Sequence, residues 1–492
     1  MNNFFEPEML ERVDRLFKGG FLIIKSDENL SVEIPLAAAV MERLEEVRVG
    51  GFSIYVIKES HHFLVEKNGV KFVVIGDIYD NDGADVEDKI RQLADGDILE
   101  NFAAVDLGGR YALIVIMNDD VLIVNDPFGS RAVHYFIDSK FAVSSHESLL
   151  ALFFNTQLDQ GVEDFRAAPQ YQDRTVSYLP GNLSVFKSIR RLPPNHAYMF
   201  RSRAIVRYWP HLSVEETTEE QVFVIFERAL KALRDYVVRY YNPILSITGG
   251  VDSRSIVTTF HENGTPFSGV TWTQVNFNPA EKPVIQAIID MVGCSHLNVG
   301  KVGELGTLFA RLGSVNSGGS VKGLRARLME KTRVETEPQR QNGLPPVFLI
   351  GYGGEILRGF YRKSSRDPEK VFDVKTMTAL YGTATKKSGS SETYSAFVTA
   401  AFGEFSRDSQ FDHEALKGFD GNDIFYWEHR MGMWAALTMD TIDVAMPCLV
   451  GINSRRLYEA ALGLPMQERM SGNLILRYIE SRSPALGSIP LK

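Results

Sequence analysis

The chain has 492 residues, with 53 lysines and arginines against 62 aspartates and glutamates, giving a formal net charge of −9. Hydrophobic residues make up 44% and charged residues 23%, an ordinary globular composition that excludes a disordered or fibrous chain. At ~150 residues per domain, the length predicts two or three domains. The acidic balance argues against a general nucleic-acid binder, because no net field attracts phosphates.

Cysteine content and hydropathy narrow the setting further. Two cysteines, Cys294 and Cys448, cannot make a disulfide framework or a cysteine zinc site, which favours a reducing, cytoplasmic location. No apolar run approaches the ~18 residues of a membrane-spanning helix. The first residues lack the basic segment and apolar core of a secretory signal. We therefore expect no membrane partner.

Residues 1–210 have the pattern of short strands rich in Val, Ile, Tyr and Phe. Turn residues separate them, and Pro127 and Gly129 fit a tight turn because proline presets φ and glycine permits a positive φ. This pattern predicts an antiparallel, β-rich layered domain. The runs are GFSIYVI (51–57), KFVVIGDIYD (71–80), YALIVIM (111–117), VLIVND (121–126), AVHYFI (132–137) and FAVSS (141–145).

Residues 211–492 alternate helical and strand patterns. An amphipathic helical pattern, QVFVIFERALKALRDYVVRYY, precedes the strand-like NPILSITGG, and further helix and strand patterns alternate after it. Such alternation predicts a parallel sheet. The polar stretch 315–343 fits either a flexible loop or a helix flanked by loops, and the region from about 390 onward is mostly helical in period.

The strongest local motif is a buried strand that runs into a glycine turn and then a helix. Glycines let backbone N–H groups approach a phosphate, and the start of a helix favours anions. Asp252 is suited to hold a Mg²⁺ that bridges phosphate oxygens; the alternative is a helix cap with no ligand. The predicted nucleotide-binding residues in this motif are Ser246, Thr248, Gly249, Gly250, Asp252 and Ser253.

Thr248 to Ser253 resembles the Ser-Gly-Gly-X-Asp-Ser loop of the ATP pyrophosphatase superfamily. The remaining motifs are similar to those of the asparagine synthetase and β-lactam synthetase family, in order and spacing: GDIYD (76–80), DPFGSR (126–131), IRRLPP (189–194) and VAMP (444–447). The resemblance implies an N-terminal Ntn-hydrolase-like αββα domain (1–210) and a C-terminal adenine nucleotide α-hydrolase-like synthetase domain (211–492). It also implies ATP and Mg²⁺ as cofactors.

The N-terminal domain lacks the features of a glutaminase. In glutamine-dependent relatives the nucleophile is an N-terminal cysteine, activated by its own α-amino group. Here the chain begins Met1-Asn2-Asn3, and Ile75 stands where the glutamine-binding motif has asparagine. We expect no glutamine hydrolysis, as in β-lactam and carbapenam synthetases, which keep the fold and lack the cysteine.

A second glycine turn, at 351–354, carries the catalytic candidates. The resemblance implies that Tyr352 deprotonates the attacking amine together with a downstream glutamate, and that Gly353 contributes to the nucleotide site. A phenol whose pKa is ordinarily near ~10 must be tuned down to act as a base; stacking over a pocket is the alternative. Glu355 is a second candidate Mg²⁺ ligand.

The glutamate partner of Tyr352 is predicted to be Glu428, in FYWEHRMGMW. Asp423, Asp440 and Asp443 are alternative partners of Tyr352. The alternative to a catalytic role for Glu428 is a structural ion pair with Arg430 or His429.

The C-terminal sequence SPALGSIPLK resembles the family segment whose lysine neutralises charge on the adenylate, which makes Lys492 the third catalytic candidate. Its tail would need to be pinned, because chain termini usually fray. Arg254 is a further candidate contact for the phosphates.

Together these features predict an ATP-dependent, AMP-forming carbon–nitrogen ligase that acts without glutamine hydrolysis. The substrate would be a small molecule or peptide carrying a carboxylate and an amine, joined by intramolecular ring closure or by substrate-amine ligation in specialised metabolism, as in β-lactam synthetases or lasso-peptide cyclases. Alternatives are ammonia-dependent amidation of the asparagine synthetase type, a non-catalytic nucleotide-binding scaffold, and adenylation of a tRNA base. The acidic charge argues against the last, so no nucleic-acid partner is expected.

Overall fold

The computed structural model describes most of the chain. The described residues are 4–118, 120–138, 140–275, 277–302, 306–319, 323–337, 343–361, 372–385 and 391–491.

Twelve strands before residue 210 form two antiparallel six-stranded sheets. The first sheet has the order β10-β8-β9-β1-β3-β2 and the second the order β12-β11-β7-β6-β5-β4. The strands are β1 (Phe21–Lys25), β2 (Leu44–Val49), β3 (Phe52–Ile57), β4 (His62–Lys67), β5 (Val70–Asp80), β6 (Leu107–Met117), β7 (Asp120–Asn125), β8 (His134–Phe136), β9 (Ala142–Ser144), β10 (Ile189–Arg191), β11 (His196–Met199) and β12 (Ala204–Arg207).

The two sheets pack face to face through alternate residues of their strands. In β1, Phe21 and Ile23 join the cluster between the sheets, together with Val73 and Ile114 of the second sheet. Successive side chains of a strand point to opposite faces, so Leu22 and its neighbours pack instead against the helices. The result is a layered β-rich half, as its sequence predicts.

Helices cover the outer faces of these sheets. They are a 3-10 helix (Pro7–Arg15), α1 (Pro35–Met41), α2 (Val86–Gln92), α3 (Ile98–Ala104), α4 (Glu147–Phe154), α5 (Gln160–Ala167) and α6 (Pro169–Gln172).

The second half is built from alternating helices and strands. Its elements are α7 (Glu219–Tyr240), β13 (Asn242–Ser246), α8 (Val251–Glu262), β14 (Ser268–Trp272), a 3-10 turn (Pro279–Glu281), α9 (Lys282–Val292), β15 (Ser295–Val299), α10 (Gly306–Asn316), α11 (Leu324–Thr336), β16 (Pro346–Ile350), a 3-10 turn (Ile356–Arg358), α12 (Val374–Gly382), α13 (Glu392–Asp408), α14 (Gly421–Phe425), a π-helix (Tyr426–Ala435), α15 (Ala436–Asp443), β17 (Cys448–Val450), α16 (Arg455–Leu462), α17 (Met466–Ser471), α18 (Leu474–Arg482) and α19 (Pro484–Gly487).

The five strands of this half form one parallel sheet of order β15-β14-β13-β16-β17. The predicted mixed α/β class, with antiparallel sheets followed by a parallel sheet, is confirmed at this coarse level. From β13 the chain adds β14 and β15 on one side of the sheet and then returns to add β16 and β17 on the other side. The strand order therefore reverses between β13 and β16. Ligands of open α/β sheets bind at such a switch point, beyond the carboxyl ends of the strands.

The polar stretch 315–343 contains a helix. α11 occupies Leu324–Thr336 and buries Ala326, Leu328 and Met329. Of the two predicted alternatives, a flexible loop and a helix, the helix is the one found in Leu324–Thr336. In the described ranges, no helix combines the length and apolarity needed to cross a bilayer.

Polar contacts join the two halves. The Asp77 carboxylate in β5 accepts hydrogen bonds from the Tyr236 and Tyr241 hydroxyls, at 2.7 and 2.6 Å. Asn453, just after β17, donates to Asp126 at 2.9 Å and accepts from the Phe128 N–H at 3.0 Å. The predicted turn at Pro127 and Gly129 therefore lies at the boundary with the second half.

Candidate active site

The two glycine turns meet at the carboxyl edge of the parallel sheet. β13 and β16 are neighbours paired in register from Asn242↔Pro346 to Leu245↔Leu349, so the turns that follow them lie side by side. A β-carbon at Gly351 would lie 2.8 Å from the Ser253 nitrogen. Only glycine permits this close approach, which presses the second turn onto the start of α8.

Hydroxyl groups and free helical N–H groups line the predicted phosphate-binding segment Thr248 to Ser253, here named the phosphate loop. The Thr248 and Ser253 hydroxyl oxygens are 2.8 Å apart and hydrogen-bonded, and the Gly250 N–H donates to Thr248 at 3.3 Å. Gly250 is the N-cap of α8, without a side-chain cap, and the first N–H groups of a helix have no partner within it. These donors, with Ser246 on the cavity wall, suit an anion.

One donor of the loop is already engaged. The Gly249 N–H donates to the Glu281 carboxylate at 3.0 Å, and Glu281 is buried. Glu281 comes from the 3-10 turn after β14, so an acidic side chain lies where the sequence predicts a phosphate contact. The motif gives no sign of this residue, which is 32 positions away.

Two carboxylates with unsatisfied oxygens face the cavity. Arg358 donates to one Asp252 oxygen at 2.7 Å, whereas the other Asp252 oxygen and Glu355 Oε2 are buried without a hydrogen-bond partner. Burial, and then the charge of Glu355, raise the pKa of Asp252 to about 7, while Arg358 opposes this shift. The uncompensated oxygens are what a divalent cation would satisfy.

The donor set fits Mg²⁺, which is usually held by one or two carboxylates plus phosphate and water oxygens. Within the described part of the chain, no group of three or more His, Cys, Asp or Glu residues is placed to form an all-protein cage. Asp252 and Glu355 thus line the same cavity, and Arg358 is paired with Asp252.

Tyr352 lines the same cavity, between aromatic rings from both halves. Its ring stacks on Phe128 at 6.3 Å with an interplanar angle of 7°, and Trp434 lies 5.7 Å away. Burial raises the pKa of Tyr352 above its ordinary value, helped by Glu355; Arg325 and Arg430 oppose this. The shift is opposite to the lowering that a catalytic base requires, so Tyr352 is a neutral phenol in the free protein.

Arg325 reaches the cavity from α11 and was not predicted as a site residue. Its guanidinium lies 5.4 Å from the Trp434 ring and donates to the Thr438 hydroxyl at 3.3 Å. Among the residues described, no carboxylate pairs with it. An unpaired guanidinium beside Tyr352 can bind a substrate carboxylate.

Glu428 is placed by an ion pair rather than by Tyr352. Arg207 donates to both of its oxygens, at 2.6 and 2.8 Å, and Asn195 donates at 3.1 Å. Glu428 is fully buried and does not line the cavity. The structure therefore does not bring the predicted pair together, and the partner of Glu428 is Arg207 instead of Arg430 or His429.

The alternative carboxylates are also paired with arginines. Arg110 in β6 lies 2.7 Å from Asp440 and 2.6 Å from Asp443, and Arg469 pairs with Asp423. A buried carboxylate must be paired or hydrogen-bonded, so all four carboxylates have a structural explanation.

Three candidates remain: Gly353, Arg254 and Lys492. The first two do not line the cavity. Gly353 has φ +102°, and a β-carbon at this position would collide with the Ile452 carbonyl. Its role is therefore conformational. Arg254 turns away from the phosphate side toward the C-terminal tail. Lys492 lies outside the described residues.

An apolar wall closes the other side of the cavity. Trp272 stacks on Phe348 at 5.2 Å with an interplanar angle of 8°, and Val270, Val275 and Ile350 lie beside them. Such a wall suits a flat base. These residues lie in β14 and β16 or just after β14, so the predicted strands indicated the region of the chain from which they come.

The cavity that holds these groups has a volume of about 220 Å³. Larger cavities of about 980, 750 and 590 Å³ lie elsewhere on the chain. The largest is lined by residues 214–217 and 411–422, and the 590 Å³ cavity lies at the opposite edge of the parallel sheet. Of these four cavities among the described residues, only the smallest joins glycine turns, unsatisfied carboxylates and helical N–H groups, so chemistry rather than size identifies it.

Comparisons with known proteins give no assignment. No family model and no curated protein matches the chain. Solved structures that resemble it are NMN synthetase from Francisella tularensis (13% identity, 44% of this chain, 94% of that one, TM-score 0.22), the allosteric regulatory enzyme of purine biosynthesis (10%, 53%, 62%, 0.24) and glutamine PRPP amidotransferase from B. subtilis complexed with ADP and GMP (9%, 59%, 61%, 0.23). The chain spans about three fifths of the latter two. These scores are too low to carry an argument, and the predicted family stays a prediction.

Proposed function

We propose that this protein is an ATP-dependent ligase that activates a substrate carboxylate as an acyl-adenylate and joins it to an amine. The observation that carries the proposal is the pair of unsatisfied carboxylate oxygens, on Asp252 and Glu355, beside the phosphate loop at the switch point of the sheet. Two half-buried acids, each with a buried and unsatisfied oxygen, next to an anion-binding loop are explained if a cation and phosphates bind there together.

The phosphates are assigned to the Thr248 and Ser253 hydroxyls and to the N–H groups at the start of α8. Asp252 and Glu355 would hold Mg²⁺, which neutralises phosphate charge when bound. The adenine base is assigned to the apolar wall that contains Trp272 and Phe348.

The substrate carboxylate is assigned to Arg325, whose guanidinium has no acidic partner in the described ranges. In the first step, a carboxylate oxygen attacks the α-phosphorus of ATP and pyrophosphate leaves. In the second step, the amine nitrogen attacks the acyl carbon, loses a proton and expels AMP. Arg325 thus holds the acid near the nucleotide and brings the reacting atoms together.

Tyr352 is assigned to the attacking amine, because its ring lies between the two halves and its phenol faces Arg325 and Glu355. An ammonium has no lone pair, so amide formation needs a proton acceptor. The phenolate form is favoured by Arg325 and Arg430 and disfavoured by burial and Glu355. A bound nucleotide and cation that neutralise Glu355 would move this balance toward the phenolate.

The amine is proposed to come from the substrate rather than from glutamine. Ile75 stands where the glutamine-binding motif has asparagine, and its side chain is buried between the two antiparallel sheets. Ring closure of a small molecule or peptide is therefore our preferred reaction, with amidation by free ammonia as the alternative.

The test is release of pyrophosphate and AMP from ATP and Mg²⁺ by the purified protein, with and without small-molecule extract from its source cell. We expect extract-dependent release that falls by at least ~100-fold in Asp252→Ala. Asp290→Ala, an exposed aspartate on α9, is the matched control and should retain full release. Absence of both release and ATP binding by calorimetry would overturn the proposal in favour of a scaffold.

Tyr352→Phe separates the two chemical steps. The phenol is assigned only to the second step, so the variant should keep a single-turnover burst of pyrophosphate. Formation of the coupled product, followed by mass spectrometry, should fall by ~10²–10⁴-fold. Equal loss of both steps would assign Tyr352 to binding alone.

A further inference from the structure

Arg254 connects the phosphate loop with the C-terminal tail. It is the fourth residue of α8 and is 1% exposed. Its Nη1 donates to the Ile489 carbonyl at 2.6 Å and to the Leu486 carbonyl at 3.4 Å. Its Nη2 donates to the Pro490 carbonyl at 3.4 Å and to the Gly249 carbonyl, in the phosphate loop, at 3.4 Å. One planar group therefore contacts both segments.

The charge of Arg254 is held only by carbonyl dipoles. In the described part of the chain no carboxylate pairs with it, and burial alone lowers its pKa. Arginine stays protonated in proteins, so this is a buried cation directly behind the anion-binding loop. Of the tail carbonyls that accept from it, Leu486 lies in α19, whose last backbone oxygens lack partners within the helix, and Ile489 and Pro490 follow the helix. Arg254 satisfies them and fixes where the tail lies.

Apolar contacts support the same arrangement. Leu486 and Ile489 are 0% and 6% exposed, and Ile475 of α18 lies close to Gly354 of the second glycine turn. Leu491, just beyond, is 41% exposed. Among the described residues, the last buried side chain of the tail is thus Ile489, whose carbonyl accepts from Arg254.

Gly249 links this contact to the anion-binding side of the loop. Its N–H, in the peptide group shared with Thr248, donates to Glu281, and its carbonyl, in the peptide group shared with Gly250, accepts from Arg254. A phosphate that takes over the N–H must displace Glu281. The two peptide groups meet at the Gly249 α-carbon, so a change in the dihedral angles of this glycine also moves the carbonyl that Arg254 contacts. The tail and the phosphate site then share one residue.

We propose that Arg254 is a positioning residue that holds the C-terminal tail against the phosphate loop and thereby couples the position of the tail to nucleotide binding. The coupling to nucleotide rests on the proposed function, whereas the attachment of the tail does not. Coupling between two sites is reciprocal, so loss of the tail weakens ATP binding by the factor by which ATP protects the tail.

The first experiment measures attachment without nucleotide. Ile489→Cys places a thiol on the buried tail and keeps the backbone carbonyl, and mass spectrometry separates its alkylation from that of Cys294. In this background we expect Arg254→Met to speed alkylation by about tenfold, with Arg254→Lys between the two. The matched control is Arg477→Met, a half-buried arginine of α18 that pairs with Glu219 rather than with the tail, and it should leave the rate unchanged. An unchanged rate in both Arg254 variants, with melting curves that show folded protein, would overturn the proposal.

The second experiment is a double-mutant cycle on ATP–Mg²⁺ affinity by calorimetry. Its members are Arg254→Lys, a protein that ends at Gly487, and the combination. We expect each single change to weaken binding and the combination to weaken it no further, because Arg254 acts through the tail. Additive losses would overturn the coupling. Absence of ATP binding to the unaltered chain would overturn the proposed function, while the alkylation result still decides the attachment.

Discussion

Asp252 lies between Glu355, which disfavours its charged form, and Arg358, which favours it. Its pKa is raised to about 7 from an ordinary value of 3.8. The stabilisation linked to its protonated form is fully present below pH 3.8 and is lost as the pH rises through about 7. Without divalent cation, we expect the thermal midpoint of the protein to fall over this interval relative to Asp252→Asn, with each ~1 kcal/mol equal to ~2 °C.

Scanning calorimetry across the pH range, with and without Mg²⁺, checks this expectation. The asparagine amide does not titrate, so the variant should lack this part of the slope, and Mg²⁺ should restore the midpoint of the unaltered protein above pH 7. Asp290→Asn controls for the loss of one surface charge. Parallel pH slopes for the protein and Asp252→Asn would contradict the inferred shift.

Single residues were predictable where local geometry defines their role. The glycines, hydroxyls and Asp252 of the phosphate loop follow one another in sequence, so the motif alone predicts the candidate phosphate site. The partner of a buried carboxylate does not follow from local sequence: Arg207 lies 221 positions from Glu428 and Arg110 lies 330 positions from Asp440. From the sequence alone, each of these acids is a candidate catalytic residue, and only the structure identifies the arginine that pairs with it.

At the level of elements, periodicity predicted the strands and the long helix. α7 begins with a capping box formed by Thr218 and Gln221, a signal visible in sequence. α11 was ambiguous because LRARLMEKTRVET spreads charges around the helix, and its burial comes from neighbours in the fold. Arg325, which α11 carries to the cavity, was missed for the same reason.

The 3-10 turn Pro279–Glu281 provides a prediction at this scale. It places a carboxylate on the Gly249 N–H, where it competes with a phosphate and repels it. We expect Glu281→Gln to tighten ATP–Mg²⁺ binding by roughly three- to tenfold, because a nearby negative charge is removed. Calorimetric titration measures this. Glu262→Gln, an exposed residue at the end of α8, is the matched control. Weaker binding in Glu281→Gln would mean that the carboxylate is needed to shape the loop.

At the level of the whole molecule, the two halves are joined by buried polar groups as well as by aromatic packing. Arg110 and Arg207 extend from antiparallel strands to acids of the helical region, and Phe128 reaches Tyr352. The β-rich half therefore packs against Tyr352, a residue of the cavity wall. Sequence alone predicted the order of the sheets, whereas these contacts depend on how the halves are packed together.

The ion pair of Arg207 and Glu428 tests whether Glu428 is structural or catalytic. Glu428→Gln leaves the buried Arg207 charge without its partner, and breaking such a pair costs ~3–5 kcal/mol. We expect a lower denaturant midpoint, with pyrophosphate release per folded molecule nearly unchanged. Arg207→Met should cost a similar amount, and the double variant Arg207→Met with Glu428→Leu should recover much of the loss because no charge is left unpaired. Loss of coupled product in Glu428→Gln at unchanged stability would instead restore Glu428 as the partner of Tyr352.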